Sequence, residues 1–425
     1  MLIKTKIKNL ISGGFFYILL GNILNRAIAM ISSILVAGLI NKEEYAYLGY
    51  ADNLYGYLSY VMGLGLSSAI LKFCSNTDNK STEKAFFKFS VSIGSVFEIF
   101  MSLMICIIVS IVDIPFLGAR KYCWMLLLYS TFYNLFTNII CYFRTQLDNR
   151  KYAIAGVINS GSLCVFTVIF LKLFNTTGIV VARYFAIFTA LVYSVPIINN
   201  YFSNTNSIKL EKKQKKDFLM MGITLMIANF FSSIMPLNEA WLVNNIIRDE
   251  VVSANFKVAG QFPQLLLLVS GAVTVYFFPI IARVKDGKVL WKKVFEIGIF
   301  NFFLILCLTV LGIVFTPFVF HILYKTKYDD AVGVSSLLWC MRAINCGLRM
   351  VPINMLPAVG KTGFNLIVSI ISCVLQIILD YYFLIHIGIE GVAYGAIIVF
   401  FLSALAYWFY MYYVCKKMVI KENND

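Results

Sequence analysis

The side chains able to do chemistry are few, and the informative ones sit inside long apolar runs. His321 and His386 are the only histidines; two isolated imidazoles make neither a metal site nor a triad. Ten cysteines form no CxxC pair, and those at Cys106, Cys141, Cys164, Cys307, Cys340 and Cys373 read as small apolar residues. Gly360-Lys361-Thr362 resembles the end of a phosphate-binding loop, but Met355 stands where its first glycine belongs and no strand precedes it. Asp329-Asp330 reads as a solvated turn. No catalytic residue, metal site, cofactor site or nucleotide motif emerges, so any work done is driven by a gradient or by consumption of product on the far side. What remains is binding chemistry. Gly21, Asn22, Asn25, Arg26, Ala29 and Ser33 recur at three- and four-residue spacing and form one polar stripe on a greasy helix. Asn229, Ser232, Ser233, Pro236 and Glu239 form a second stripe, and Arg342, Asn345 and Arg349, at i, i+3 and i+7, a third. Glu98 and Asp380 are further charges in apolar surroundings, and Gln261, Pro263 and Gln264 interrupt another run.

The elements that must position these groups are membrane-spanning helices. The 425 residues are 60% hydrophobic and 13% charged, with mean hydropathy +0.81. A soluble domain carries roughly 25% charged residues, so lipid must be the solvent for most of this chain. Helices crossing ~30 Å of hydrocarbon need ~20 residues, and the sequence predicts twelve spans: 12–40, 47–71, 86–111, 122–143, 152–174, 178–202, 217–246, 254–282, 294–320, 331–356, 363–386 and 391–415. The first run is too long for a signal peptide and reads as a retained helix. Gly63-Leu64-Gly65 lies within a run and reads as close helix packing or a hinge.

Basic residues alternate along this series. Alternate gaps, beginning with Lys4, Lys6 and Lys8 and ending with Lys416, Lys417 and Lys421, hold 24 of the 36 lysines and arginines; the other gaps and their span ends hold 9. The positive-inside rule puts the first set, and both termini, in the cytoplasm. The net charge of +15 suits anionic headgroups, and its spread along span ends argues against nucleic-acid binding. The Lys-rich stretch at 206–216 sits at the midpoint and divides an N-terminal six-helix lobe, 1–205, from a C-terminal one, 217–425. Lys42-Glu43-Glu44-Tyr45 matches Arg248-Asp249-Glu250-Val251, the basic loops at 72–88 and 283–293 correspond, as do the loops holding Lys151 and Lys361, and Gly178-Ile179 matches Gly388-Ile389, at offsets of about 206–211 residues. Two pseudo-symmetric six-helix bundles follow.

Three arginines break the alternation: Arg26, Arg342 and Arg349. Arg26 lies about 20 Å from either end of its span at ~1.5 Å per residue, out of reach of the headgroups. A charge at mid-bilayer costs ~2.5–3.5 kcal/mol on insertion scales, so each faces either a watery cavity between the halves, where it would attract an anionic group, or an internal carboxylate such as Glu98, Glu239 or Asp380. For Arg349, nearer the cytoplasmic end, snorkelling is a third option.

Twelve spans in two halves, the polar first helix and the turn Glu43-Glu44-Tyr45-Ala46-Tyr47 resemble bacterial polysaccharide flippases, the O-antigen and capsule repeat-unit translocases of the MATE-like MOP exporter superfamily. Cys141-Tyr142-Phe143-Arg144 with Asp148-Asn149-Arg150-Lys151-Tyr152-Ala153 is similar to their loop after the fourth helix, and Gly388-Ile389-Glu390-Gly391-Val392-Ala393-Tyr394-Gly395-Ala396 to the start of their last helix. Members often carry aspartate where this chain has Glu239. The resemblance implies an all-α MATE-like fold and a transporter, not an enzyme, of the bacterial inner membrane. Its substrate would be an undecaprenyl-diphosphate-linked oligosaccharide, flipped from the cytoplasmic to the periplasmic leaflet by alternating access. It implies membrane lipids as surroundings and a glycan polymerase and assembly proteins as partners. Arg26, Asn22, Asn25, Arg342 and Arg349 become candidate substrate-binding residues, because guanidinium forks match phosphate oxygens. Glu239, Glu98 and Asp380 become candidates for coupling to H+ or Na+. The alternatives are an ion-coupled multidrug antiporter of the same fold, which the positive charge of Arg26 disfavours, and a membrane-embedded glycan-assembly enzyme, which would be expected to carry a long periplasmic loop or a histidine motif.

Overall fold

A computed structural model describes residues 15–422 apart from 76, 78, 204, 282 and 285; the side chains of 15–20, 228, 229, 232, 279, 362 and 420–422 are outside the description. The lysines expected at the cytoplasmic N-terminus, Lys4, Lys6 and Lys8, together with Lys285 and the side chains of Asn229, Ser232 and Lys421, therefore lie outside the described residues.

Helix α4 (Lys80–Ile111) shows why the chain folds as it does. Its buried face carries Ser90, Gly94, Glu98, Ser102 and Cys106, one residue per turn. Its exposed face carries Val96, Phe100, Leu103, Ile107 and Ile111. Polar groups inside and large hydrocarbons outside invert the pattern of a helix solvated by water. Lipid offers no hydrophobic drive for helix association, so small residues and interhelical hydrogen bonds hold the bundle. The same inversion recurs in α13 (Gly287–Tyr324), with Gly298, Asn301 and Thr309 inside and Phe303, Val310 and Val314 outside. It recurs in α16 (Thr362–Ile387), with Ser369, Gln376 and Asp380 inside and Ile367, Ile371 and Ile378 outside. The protein is an all-helical, multi-pass membrane protein.

Contacts divide the chain into two compact units, 1–230 and 231–425. The first holds α1 (Phe15–Leu39), α2 (Lys42–Tyr60), α3 (Leu66–Phe73), α4, α5 (Ala119–Met125), α6 (Tyr129–Thr145), α7 (Asn149–Phe174), α8 (Thr177–Tyr201) and most of α9 (Lys212–Ser233). The division thus falls near the end of α9, past the basic linker. In the first unit, α1 packs on α7 through Gly21, where any side chain would meet Ala153, and Phe218 of α9 stacks on Phe86 of α4 with centroids 4.9 Å apart. The second unit holds α10 (Met235–Ile247), α11 (Glu250–Ala259), α12 (Leu265–Ile281), α13, α14 (Ala331–Ile344), α15 (Met350–Met355), α16 and α17 (Glu390–Glu422). Its core is aromatic too: Trp291 packs edge-on to Trp408 and Tyr412.

Among the described residues nine helices are long and apolar enough to cross a membrane, ten if α5 and α6, bent by 46°, count as one span. The shortfall from twelve has a physical cause. The spans expected at 217–246 and 254–282 are broken pairs, α9 with α10 and α11 with α12. Pro236 opens α10 in its first turn, where a missing N–H costs nothing, and Pro263 lies in the turn between α11 and α12. Single rods were assumed where proline makes two.

The span expected at 47–71 is also broken. Gly63, Leu64 and Gly65 all have positive φ, and the chain turns through a short 3-10 segment between α2 and α3. The N–H of Gly63, freed from the helix ladder, donates to Glu98 Oε1 at 2.8 Å. A Cβ at Gly63 would also strike the Asn134 side chain. Gly63→Ala is therefore expected to cost ~2 kcal/mol or more, from left-handed strain plus overpacking, seen as a lower melting temperature of the purified protein. An unchanged midpoint would mean this turn is not held as described.

Candidate functional site

Three of the singled-out charges meet in the second unit. Glu239, on α10, lies 3.7 Å from the Arg342 guanidinium of α14. Gln376 of α16 donates to Glu239 Oε1 at 2.8 Å. One turn further along α16, Asp380 is fully buried, and neither of its oxygens has a hydrogen-bond partner among the described residues. It lies so close to Gly395 of α17 that a Cβ there would meet its carboxyl. Two carboxylates and one guanidinium leave one formal negative charge, and a buried uncompensated charge costs several kcal/mol. For Arg342 the internal ion pair is the reading that the geometry carries.

Arg349 does not join this cluster. Residues i and i+7 of a regular helix share a face, drifting only ~20° per heptad, so Arg342 and Arg349 were expected to point the same way. Asn345–Arg349 is instead a π-turn, whose wider winding rotates the following residues by roughly a quarter turn. Arg349 consequently packs over Phe400 and Tyr407 of α17, 5.5 and 5.7 Å from their centroids. Its Nη1 donates to Asn345 Oδ1 at 3.2 Å. The carbonyls loosened by the π-turn are taken by side chains: Asn301 and Ser270 donate to Cys346 O at 2.7 and 2.9 Å, and Trp408 to Leu348 O at 2.9 Å.

In the first unit the polar stripe of α1 divides. Asn22 accepts from the Tyr152 hydroxyl at 3.3 Å and Asn25 from Ser160 at 2.8 Å, both on α7. Gly156 makes room for Asn25, whose amide a Cβ would hit. Arg26, at the other margin of the stripe, is exposed and makes no ion pair or hydrogen bond among the described residues. Glu98 is fully buried, its Oε2 without a hydrogen-bond partner among the described residues. Asn25 and Glu98 line the same cavity of about 460 Å³.

Sequence reasoning missed several partners. Gln376 lies four residues before Asp380, a spacing that could have flagged it. Arg183 of α8 makes a two-point pair with Asp52 of α2 at 2.6 and 3.0 Å. The quoted turn residues hold loops. Tyr122 donates to Glu44. Asp148 caps α7, pairs with Lys151 at 2.6 Å and accepts from Tyr201. Burial pushes the Asp148 carboxyl up, but the bonds from Lys151 and Tyr201 outweigh it and hold it below the usual carboxylate range. Among the described residues no group of three or more His, Cys, Asp or Glu is placed to hold a metal ion.

This architecture is the fold of MATE transporters. An inward-facing multidrug-resistance MATE family transporter of the MOP superfamily superposes with a TM-score of 0.73 over 92% of this chain and 95% of its own, at 17% identity. A MOP superfamily transporter from Pyrococcus furiosus, noted for a binding pocket of reversed polarity, superposes at 0.67 over 97% and 96%, at 15% identity. Residues 11–285 match the polysaccharide biosynthesis protein family, and the chain belongs to that family. A candidate O-antigen transporter of Shigella flexneri is 22% identical over 200 residues, 47% of each chain; the match spans about half the length of that curated relative.

Proposed function

We infer that the protein flips undecaprenyl-diphosphate-linked oligosaccharide repeat units from the cytoplasmic to the periplasmic leaflet of a bacterial inner membrane, by alternating access, with both termini cytoplasmic. The observation that carries this reading is Arg26: an exposed guanidinium without a partner among the described residues, on the first helix of a polysaccharide-family chain. An arginine unpaired at membrane depth suits an anionic substrate group, and diphosphate oxygens match its fork. Arg342 and Arg349 are engaged internally and play a lesser part. Asn22 and Asn25 hold α1 against α7 and so orient Arg26. Proteoliposomes carrying the lipid-linked glycan test the reading. With the protein present, a membrane-impermeant glycosidase should reach the inner-leaflet pool, which stays protected in empty vesicles. Protection that persists, alongside transport of a cationic dye, would replace the flippase by a multidrug antiporter.

The two buried carboxyls of Glu239 and Asp380, of which Asp380 has no hydrogen-bond partner among the described residues, support ion coupling, with a proton or a sodium ion as co-substrate. Dissipating both gradients across the vesicle membrane is expected to slow translocation; an unchanged rate would mean passive flipping and a purely structural role for these carboxylates. Glycan polymerase and other assembly proteins would act on the product on the far side.

A further inference from the structure

The cavity inside the first unit is walled by α1, α2, α4, α6 and α7 and has a volume of about 460 Å³. That is in the range of small-molecule sites, ~300–1,000 Å³, and far above the ~30 Å³ share of one water, so it is oversized for a bare ion. Four tyrosines dominate its wall: Tyr55, Tyr129, Tyr133 and Tyr152. Tyr129 and Tyr133, one turn apart on α6, stack with centroids 5.9 Å apart and planes at 27°.

The polar groups decide what fits. None of the lining residues is Lys, Arg or His, so the diphosphate finds no counter-charge here. Glu98 is among the lining residues, and one oxygen of its buried carboxyl has no hydrogen-bond partner among the described residues. The hydroxyls of Tyr129 and Tyr133 and the amide of Asn159 make no hydrogen bond within the described residues. A cation would satisfy Glu98 and sit well on tyrosine faces, yet it accepts no hydrogen bonds and would leave these donors unmet. An anion would satisfy the donors and be repelled by Glu98. Only a neutral ligand rich in both donors and acceptors, with an apolar face to lie on aromatic rings, uses every group. A pyranose ring has that character: C–H groups on one face and hydroxyls at its rim, which a carboxylate and an amide can engage together.

We propose that this cavity is a sugar subsite, holding one neutral hexose or N-acetylhexosamine ring of the carried glycan on the Tyr129–Tyr133 platform, with Glu98 and Asn159 bonding its hydroxyls. The assignment rests on the transport reading above and adds to it where a sugar is read. Purified protein in a sugar-free detergent is tested by saturation-transfer NMR against the methyl glycosides of glucose and galactose, N-acetylglucosamine, N-acetylgalactosamine and choline. At least one sugar should show saturable transfer, weakened about ten-fold by Tyr133→Leu and by Asn159→Leu, as expected for loss of a stacking face or a bonding group. Asn159→Leu keeps the α7 packing, and both variants are compared at matched melting temperature. The proposal is overturned if no sugar gives transfer, if both variants bind as the wild type does, or if choline outcompetes every sugar. Sugar binding by a protein that fails the vesicle assay would overturn the transport reading and leave the subsite; translocation without sugar binding would overturn the subsite alone.

Discussion

Arg26→Ala is expected to abolish surface glycan in a strain that depends on this protein, while the variant still inserts and melts as the wild type does. The two halves of that statement have one cause. Arg26 makes no bond within the described protein, so its loss removes no internal support. If it engages the diphosphate, the loss is of charge-assisted hydrogen bonds worth ~1.5–3 kcal/mol each, about 10–150-fold in binding. Arg26→Lys keeps the charge but loses the two-point fork, and partial glycan display is expected. The readout is the polysaccharide profile of complemented null cells beside immunoblots of the membrane fraction. Full display by the alanine variant would remove Arg26 from substrate handling.

Arg342→Ala is expected to behave in the opposite way, as the most damaging stability change in the second unit. Among the described residues Glu239 would then keep the bond from Gln376 alone, and Asp380 would have none. Removing one partner of a buried ion pair costs ~3–5 kcal/mol. Adding Glu239→Gln removes half the stranded charge, so the double variant should recover much of the loss. Asp380→Asn alone should be neutral or stabilising, because it replaces a buried carboxyl that has no hydrogen-bond partner among the described residues. Melting temperatures of the four proteins in detergent check this; an Arg342→Ala protein as stable as the wild type would mean that Glu239 does not depend on the pair.

Much of the architecture was legible in the sequence because a bilayer imposes one solution on the backbone, the helix, and one length on it. Among the described residues each of the twelve apolar runs falls on helix, several of them on two helices in succession. What the runs could not show is continuity: hydropathy averages over Ile234 and over Gly260–Gln264, where the chain breaks, and over the left-handed turn at Gly63–Gly65. Charges were legible for a similar reason, since Glu98, Glu239, Arg342 and Asp380 stand out against apolar neighbours. Pairings were not. Helical spacing puts Arg342 and Arg349 on one face; only the π-turn between them separates their partners, and no residue type announces a π-turn. The cavity of the first unit was illegible for another reason. Its tyrosines, scattered from Tyr55 to Tyr152, look like ordinary apolar filler until α2, α6 and α7 close around one space.

The inverted sidedness of α4, α13 and α16 sets how this protein can drift over generations. Positions such as Phe100, Val314 and Ile371 are exposed, and the hydrocarbon of a bilayer has no shape to match. Any large apolar residue serves there, and most neutral sequence change should accumulate on that side. On the inner side, Ser90, Gly94, Asn301 and Gln376 are buried groups that are small or held by hydrogen bonds. A saturation-mutagenesis map of these helices should therefore oscillate with the helical period. Its tolerant positions would accept size but reject charge, and its intolerant ones reject size before polarity.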